Sequence, residues 1–237
     1  MTLGVYGHGG MPVLVFPSSE GSWHEYDDYQ MVETLAPAID AGRLRLYAVS
    51  SDDSESWYGR HRPPHERARR HGLYEDWVMS IAVPRILEDL DDADARLTVT
   101  GCSFGAYHAA NFALKFPERF EHALCMSGVY DVRFLVDGHH DDWVYFNNPM
   151  QWVPLLHGPA LDAARRTFIT LVCGQGPWET VSLDSTKAFR HVLDVKGIPN
   201  YMDLWGHDVA HDWHWWRVQI RYFMHHLIEG TLPWRTT

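Results

Sequence analysis

A serine flanked by two glycines lies where a strand pattern of this chain changes into a helix pattern. The run at residues 101–105 reads GCSFG; it follows the strand-like run 96–100 (RLTVT) and precedes the helix-like run 106–116 (AYHAANFALKF). A strand that turns at once into a helix strains the backbone of the central residue and leaves no room for side chains on its neighbours. The pattern therefore predicts a sharp turn that lifts the Ser103 hydroxyl clear of a sheet.

Apolar runs rich in β-branched residues alternate with helix patterns along the chain. Besides the run before Ser103, the strand-like runs are residues 12–16 (PVLVF), 44–49 (LRLYAV), 122–126 (HALCM), 167–173 (TFITLVC) and 201–205 (YMDLW). This alternation predicts an α/β fold, a three-layer α/β/α sandwich whose mainly parallel sheet is covered by helices on both faces. A chain of 237 residues fits one such domain, residues 1–237.

Three segments lead to more specific expectations about the fold. Residues 3–7 and 12–16, joined by a glycine-rich turn, predict a hairpin at one edge of the sheet. A long helix is expected from about His65 to Leu90, with a kink at Pro84. Between about residues 132 and 165 no period dominates, and we expect this insertion to form a short aromatic lid. Aromatic residues of the lid and of nearby loops are candidates for an apolar pocket: Trp23, Trp143, Tyr145, Phe146, Trp152, Trp178 and Trp213.

The charge and the apolar content of the chain exclude several classes of protein. A net charge of −11 repels a phosphate backbone, so we expect no nucleic-acid partner. No apolar run approaches the roughly 20 residues of a membrane span, and no signal-peptide pattern is present. Cys102, Cys125 and Cys173 lie in strand-like runs without metal-ligand spacing, which predicts buried, reduced thiols. We expect a cytoplasmic protein without a membrane partner. The sequence does not decide whether it forms a homo-oligomer.

The serine would need a base, and two histidines follow the last expected strand. A serine hydroxyl is a poor nucleophile near neutral pH unless an imidazole takes its proton. His207 and His211 both lie in the loop 206–211 (GHDVAH). We favour His211 because it precedes the aromatic helix-like run DWHWWRVQIRYF, whose packing would fix the loop; His207 stays the alternative. A spacing of four also suits two metal ligands on a helix, but Gly206 favours a loop and no third ligand is evident.

The carboxylate that orients the histidine should come between the serine and the histidine in the chain. The loop after the strand-like run 167–173 contains Glu179, and Asp184 comes five residues later. Asp131, which follows the preceding strand, is a third candidate. We choose Glu179 because it lies nearest to the strand end, and both aspartates stay open.

Two backbone N–H donors should stabilise the negative charge that develops on a carbonyl oxygen. The residue after the nucleophile, Phe104, would supply the first. The loop 16–23 (FPSSEGSW) follows an early strand, as the second donor requires. We choose Ser19 in this loop, with Ser18 as the alternative.

Four segments of the chain carry a resemblance to a known family. They are PVLVFPSSEGS (12–22), GCSFGAYHAANFALKFPERF (101–120), SGVYD (127–131) and HDWHWWR (211–217). They resemble the putative esterase family, which includes enterochelin, feruloyl and acetylxylan esterases, S-formylglutathione hydrolases and mycolyltransferases. The resemblance covers nearly the whole chain and implies an α/β-hydrolase fold. It also implies that His211 is the base, because the family's histidine stands directly before an Asp-Trp pair.

The chain departs from the family pattern at the carboxylate that would orient the histidine. Where many members have an aspartate shortly after a glycine, this chain reads GPWE at residues 176–179. The family also contains both hydrolases and acyltransferases, so it implies no particular ester.

The sequence as a whole predicts a serine hydrolase that cleaves a carboxylic ester of a small molecule through an acyl-serine intermediate. Ser103, His211 and Glu179 would carry the reaction, and no cofactor or metal is implied. Three rival predictions are an acyltransferase on the same scaffold, a metal-dependent hydrolase built on His207 and His211, and a binding module without catalysis.

Overall fold

A seven-stranded sheet runs through the computed structural model, which describes residues 1–232. In chain order the strands are β1 (Leu3–Tyr6), β2 (Met11–Phe16), β3 (Leu44–Val49), β4 (Leu97–Cys102), β5 (Phe120–Met126), β6 (Phe168–Cys173) and β7 (Asn200–Leu204). Across the sheet their order is β1-β3-β2-β4-β5-β6-β7. Every pair of neighbours is parallel except β1 and β3. The prediction of a mainly parallel sheet is confirmed.

Helices connect the strands and cover both faces of the sheet. In chain order they are α1 (Glu25–Asp28), α2 (Met31–Asp40), α3 (Pro64–Trp77), α4 (Val83–Leu90), α5 (Phe104–Lys115), α6 (Asp142–Phe146), α7 (Pro149–Trp152), α8 (Gly158–Ala164), α9 (Thr180–Lys196) and α10 (Trp213–Glu229). Helices α2 and α10 pack on one face, and α3, α4, α5 and α9 pack on the other. This is the predicted three-layer α/β/α sandwich. Within residues 1–232, no helix has the length and apolar character that a membrane span requires.

The central strands are apolar on both sides because both sides are covered. In β2, Val13 and Val15 belong to the core beneath α2 and α10, whereas Leu14 and Phe16 belong to the core beneath α5. All residues of β4 are buried. A strand in this position reads as a continuous apolar run rather than as an alternating one. The buried position of β4 fixes the place where Ser103 leaves the sheet.

Strand β3 lies between β1 and β2, so the predicted hairpin of residues 3–7 and 12–16 is wrong. A Cβ atom on Gly10 would lie 2.0 Å from the carbonyl carbon of Arg43, so the backbone entering β3 lies directly against the turn. Helix α2 carries the chain over one face and returns it as a parallel strand beside β2. That side of β2 is thereby occupied, and β1 pairs with the far side of β3 instead.

A π-helical turn, Val78–Ala82, divides the helix that was expected from about residue 65 to residue 90. The N–H of Val83 donates to the carbonyl of Val78, one residue further back than in an α-helix. Pro84 has no N–H, and its ring would clash with a carbonyl one turn earlier in a regular helix. The wider turn makes room for that ring.

Residues 132–165 form short helices that pack on α3 and α5. Besides α6, α7 and α8, the segment contains two 3₁₀ turns, Arg133–Leu135 and Val153–Leu155. A Cβ atom on Gly72 would lie 2.3 Å from the ring of Trp143, so this ring packs on the backbone of α3. Trp152 is 7% exposed and donates through Nε1 to Asn111 of α5 at 3.3 Å. Two of the aromatic residues of the expected lid therefore attach the segment to the core.

A buried histidine on α3 predicts how stability changes with pH. Burial lowers the pKa of His71 well below its usual value near 6.5, and the charges of His108 and Lys115 lower it further. The unfolded chain takes up this proton as the pH falls below about 6.5, while the folded protein does not. The free energy of unfolding should therefore fall toward acidic pH, with a contribution from His71 of at most about 1.4 kcal/mol per pH unit.

Urea unfolding at several pH values checks this contribution. The variant His71→Phe keeps a ring beside Trp57, whose centroid lies 4.8 Å from that of His71. It should show a smaller loss of stability between neutral and acidic pH than the wild type does. His207→Gln, at an exposed histidine, is the control and should leave the pH dependence unchanged. Equal pH dependence in His71→Phe and the wild type would contradict the expectation.

Candidate active site

The serine at the strand–helix turn lies between β4 and α5 in a strained backbone conformation. Ser103 has φ 55° and ψ −121°, outside the regions that residues with a side chain usually adopt. A Cβ atom on Gly101 would lie 2.3 Å from the carbonyl carbon of Gly105. A Cβ atom on Gly105 would lie 2.5 Å from the carbonyl oxygen of Pro17. The close backbone approaches explain why the turn needs glycine on both sides of the serine.

The imidazole of His211 connects the serine to a carboxylate. Its Nε2 lies 3.0 Å from Ser103 Oγ, and its Nδ1 lies 3.0 Å from Glu179 Oε2. Both distances are those of hydrogen bonds. With a proton on Nδ1, the neutral imidazole donates to Glu179 and accepts from the Ser103 hydroxyl. The structure thus brings the three side chains into one continuous chain of hydrogen bonds.

The loop that carries His211 is fixed on both sides. The N–H of His211 donates to the carbonyl of Pro177 at 3.0 Å. The His211 ring meets the ring of Trp216 edge-on, with 4.9 Å between the centroids. Asp212 caps the first turn of α10 by accepting from the N–H of Trp215 at 3.1 Å. The aromatic helix therefore begins directly after the loop, where it holds the imidazole in place.

His207, the alternative base, is exposed at the surface. In the part of the chain that the structure describes, no hydrogen bond joins its side chain to Ser103 or Glu179. The same part contains no group of three or more His, Cys, Asp or Glu side chains arranged to hold a metal ion. Of the two histidines in this loop, only His211 forms a hydrogen bond with Ser103 within the described residues.

The carboxylate of Glu179 is fully buried, and both of its oxygens have partners. Oε2 faces His211, as described above. Oε1 accepts from the hydroxyl of Ser127 at 2.5 Å and from the N–H of Gly174 at 3.3 Å. Ser127 in turn accepts from Nε1 of Trp216 at 3.1 Å. A buried carboxylate needs hydrogen-bond donors around it, and these bonds fix the orientation of Glu179 toward the imidazole.

Within residues 17–21 of the loop after β2, one N–H group is free. The N–H of Ser18 donates to Glu25 at 2.7 Å, and that of Glu20 donates to Asp53 at 3.3 Å. Across residues 1–232, the N–H of Ser19 has no hydrogen-bond partner. The bonding of the loop therefore favours Ser19 over Ser18 as a donor to a ligand.

The start of α5 supplies a second free N–H close to this loop. Phe104 is the first residue of α5, and helix geometry leaves its N–H without a partner inside the helix. The hydroxyl of Ser19 donates to the hydroxyl of Tyr58 at 3.1 Å. The Tyr58 ring meets the Phe104 ring edge-on, with 5.1 Å between the centroids. Tyr58, which no sequence motif marks, thus joins the loop to the helix that begins after Ser103.

The sequence matches a model of a known family over most of its length. The family is described as "Putative esterase", and the match covers residues 47–226. The chain belongs to the putative esterase family. A search of curated protein sequences finds no match.

Solved structures share the fold of this family member at low sequence identity. An S-formylglutathione hydrolase from Agrobacterium tumefaciens has a TM-score of 0.73 and 14% identity, over 96% of this chain and 88% of that chain. A ferulic acid esterase has a TM-score of 0.71 and 13% identity, over 93% and 86%. FphF, a fluorophosphonate-binding serine hydrolase from Staphylococcus aureus, has a TM-score of 0.61 and 17% identity, over 93% and 84%. The likeness establishes the α/β-hydrolase type of fold.

Ser127 is a site residue of this family member that the sequence analysis missed. It follows β5 with a left-handed backbone, φ 54°, and its N–H donates to the carbonyl of Val172 at 2.7 Å. Its position at the end of a strand was the one feature of the sequence that could have indicated a role in the site. Ser127 stands at the carboxyl end of the strand beside β4, the edge at which Ser103 leaves the sheet.

The two aspartates that were alternatives to Glu179 have other surroundings. Asp131 accepts from the guanidinium group of Arg133 and from Nδ2 of Asn148, each at 2.9 Å. Asp184 is exposed on α9. Within the described residues, neither aspartate has a hydrogen bond to His211, so Glu179 is the carboxylate that the fold brings to the imidazole.

The three cysteines are buried free thiols, as the sequence predicts. Burial raises the pKa of the Cys102, Cys125 and Cys173 thiols, and the charge of Glu179 raises that of Cys173 further. A thiol with a raised pKa stays protonated near neutral pH and is a weak nucleophile. The thiol of Cys102, although adjacent to Ser103, is therefore inert under these conditions.

Three other candidate pocket aromatics, Trp23, Trp178 and Trp213, have different surroundings. A Cβ atom on Gly4 would lie 2.3 Å from the ring of Trp23, which therefore packs on β1. Trp213 stacks on Tyr29 with 4.3 Å between ring centroids. Trp178 is 86% exposed and has φ 67°, directly before the buried Glu179. The rings of Trp23 and Trp213 pack on different parts of the fold, and the ring of Trp178 is exposed.

Proposed function

We propose that the protein is a serine esterase that hydrolyses a carboxylic ester of a small molecule through an acyl-serine intermediate. One observation carries the proposal: two 3.0 Å hydrogen bonds connect Ser103 through His211 to the buried Glu179. Membership of the putative esterase family supports it. The fold that the chain shares with FphF, a fluorophosphonate-binding serine hydrolase, is compatible with it.

In the first half of the reaction, Ser103 would form an ester with the acyl group. Its Oγ attacks the carbonyl carbon while the hydroxyl proton passes to His211 Nε2. The tetrahedral intermediate then breaks its bond to the alkoxy group, which takes the proton from His211 and leaves as an alcohol. The acyl group stays on Ser103.

In the second half, water would release the acid. His211 takes a proton from the attacking water, whose oxygen bonds to the acyl carbon. The tetrahedral intermediate breaks its bond to Ser103 Oγ, which regains the proton from His211. A carboxylic acid is released and the enzyme is restored. An alcohol in place of water would give acyl transfer through the same steps.

The backbone donors would act on the oxygen that becomes charged in both halves. We assign the N–H groups of Phe104 and Ser19 to this oxyanion. Such donors stabilise the transition state more than the bound ester, and the loss of one raises the barrier by about 3 kcal/mol. No cofactor enters these steps.

Labelling and product analysis test the proposal. The protein should hydrolyse short p-nitrophenyl esters, take up one fluorophosphonate label on Ser103 and keep its activity in chelator. Activity that chelator removes and fluorophosphonate leaves intact would instead support the metal-dependent rival. Absence of both turnover and labelling would support a binding module. Ester products formed from added alcohols in preference to acid would identify an acyltransferase.

The carboxylate is tested by replacing Glu179 with glutamine. We expect kcat to fall by about 10⁴-fold with little change in KM, because the amide no longer stabilises the imidazolium and can favour the wrong tautomer. Asp131→Asn and Asp184→Asn are the matched controls and should keep kcat close to that of the wild type. Steady-state kinetics at equal folded fraction make the comparison. A larger loss in either control than in Glu179→Gln would overturn the choice of Glu179.

A further inference from the structure

The loop at residues 17–21 is held between two buried carboxylates that the proposed mechanism does not use. Glu25 begins α1, and Asp53 lies between β3 and α3. Glu25 is 9% exposed and Asp53 is 1% exposed, so neither is well solvated. Buried carboxylates persist where donors surround them, which makes the identity of their donors informative.

Glu25 binds one side of the loop through Ser18. The N–H and the hydroxyl of Ser18 each donate to one oxygen of the carboxylate at 2.7 Å. A Cβ atom on Gly21 would lie 2.5 Å from Glu25 Oε1, so the carboxylate lies directly against the loop backbone. This paired contact fixes the position of Ser18.

Asp53 binds the other side of the loop through Glu20. The N–H of Glu20 donates to Oδ2 at 3.3 Å, and Glu20 has a left-handed backbone with φ 57°. A residue with a side chain in this region is strained by about 1–3 kcal/mol, so its surroundings must impose the conformation. Oδ1 of Asp53 lies 3.1 Å from Nε2 of His108, and neither side chain is exposed.

His108 connects this carboxylate to the helix that begins at Phe104. It lies one turn into α5, and its ring packs on the Phe104 ring with 5.0 Å between the centroids. It also packs on Phe16, the last residue of β2, at 5.4 Å. The Asp53 carboxylate therefore contacts both the loop and the helix that carry the two free N–H groups.

We propose that Glu25, Asp53 and His108 are positioning residues for the oxyanion site. By occupying the N–H groups on either side of Ser19, the carboxylates leave the Ser19 N–H as the donor of the loop. Through His108, Asp53 also holds this donor at a fixed place relative to the donor of Phe104. The inference rests on the proposed function, because the oxyanion forms only during ester cleavage.

Replacing Asp53 separates positioning from a role in stability alone. Asp53→Ala should lower kcat by about 10²-fold with little change in KM. A misplaced donor stabilises the transition state less, whereas it contributes little to binding of the ester. Asp53→Asn keeps an oxygen that can accept from Glu20 and should lose less. Affinity for a trifluoromethyl ketone, which forms a tetrahedral oxyanion on a serine, should fall in parallel with kcat/KM across the series.

A second carboxylate and a control make the test independent of folding losses. Glu25→Gln presents an amide group to one of the Ser18 donors and should also lower kcat, by about 10-fold or more. If Asp53→Ala does not fold, Glu25→Gln alone tests the positioning role. Glu75 is a partly buried carboxylate on α3 that pairs with Lys115 of α5. Glu75→Gln should lower the thermal midpoint and leave kcat and ketone affinity unchanged.

The inference is overturned if folded Asp53→Ala and Glu25→Gln proteins keep the kcat and the ketone affinity of the wild type. A rise in KM with unchanged kcat overturns it as well, because that result would describe substrate binding. Ser103→Ala distinguishes this failure from failure of the proposed function. If Ser103→Ala is inactive while the carboxylate variants are fully active, only the positioning role is wrong.

Discussion

Replacing Ser103 with alanine is expected to lower ester turnover by about 10⁶-fold and to abolish fluorophosphonate labelling, while the thermal midpoint stays close to that of the wild type. The hydroxyl is the attacking group, so its loss removes the acyl-serine route. Its side-chain hydrogen bond is to His211, and an alanine leaves no buried polar group of this residue unpaired. Kinetics on a soluble p-nitrophenyl ester, mass spectrometry of the labelled protein and calorimetry measure the three quantities.

Cys102→Ala is the matched control, because Cys102 precedes Ser103 and is fully buried. Its Sγ lies 3.8 Å from the hydroxyl of Tyr26, on the side of the sheet covered by α2 and α10. The variant should be less stable and should keep most of its turnover. More than a trace of turnover in Ser103→Ala would refute the nucleophile. A folded but inactive Cys102→Ala would assign the thiol a role in the reaction.

Replacing His211 with alanine is expected to lower kcat by about 10⁵- to 10⁶-fold, whereas His207→Ala should stay close to the wild type. A general base must lie within a hydrogen bond of the hydroxyl that it deprotonates. His211 Nε2 lies 3.0 Å from Ser103 Oγ, and the side chain of His207 is exposed. Trp216 holds the His211 ring in this position.

The comparison is made at equal folded fraction, with kcat and the rate of fluorophosphonate labelling measured for both variants. Labelling should slow strongly in His211→Ala, because the same base activates the serine toward the probe. A larger loss in His207→Ala than in His211→Ala would overturn the choice of base.

The placement of Ser103 follows from local sequence because the turn depends on local sterics. Two glycines at a strand–helix junction are needed for the close contacts of Gly101 with Gly105 and of Gly105 with Pro17. Candidates such as His211 and Glu179 follow from chain order, since parallel strands end at one edge of the sheet and deliver their loops there. The sequence alone left His207 and the aspartates open, because exposure and loop direction depend on tertiary packing.

Features that depend on distant partners were not predictable from local patterns. Residues 3–7 and 12–16 read as a hairpin because neighbouring strands often pair, but β3, far along the chain, takes the place between them. Neither Ser127 nor Asp53 was a candidate site residue, and each acquires its role from a residue more than 30 positions away, Glu179 for Ser127 and Glu20 for Asp53. A buried polar contact of this kind has no period or spacing in the sequence.

The most direct measurement of the central claim is the mass of the protein when turnover is stopped by acid. During hydrolysis of an excess of a p-nitrophenyl ester, the peptide that contains Ser103 should gain the mass of the acyl group less one hydrogen. The gain should disappear when the ester is exhausted and should be absent in Ser103→Ala. Turnover without an acylated peptide under conditions that trap acyl-enzymes, or an acyl group on a different residue that forms and decays at the turnover rate, would contradict the acyl-serine mechanism.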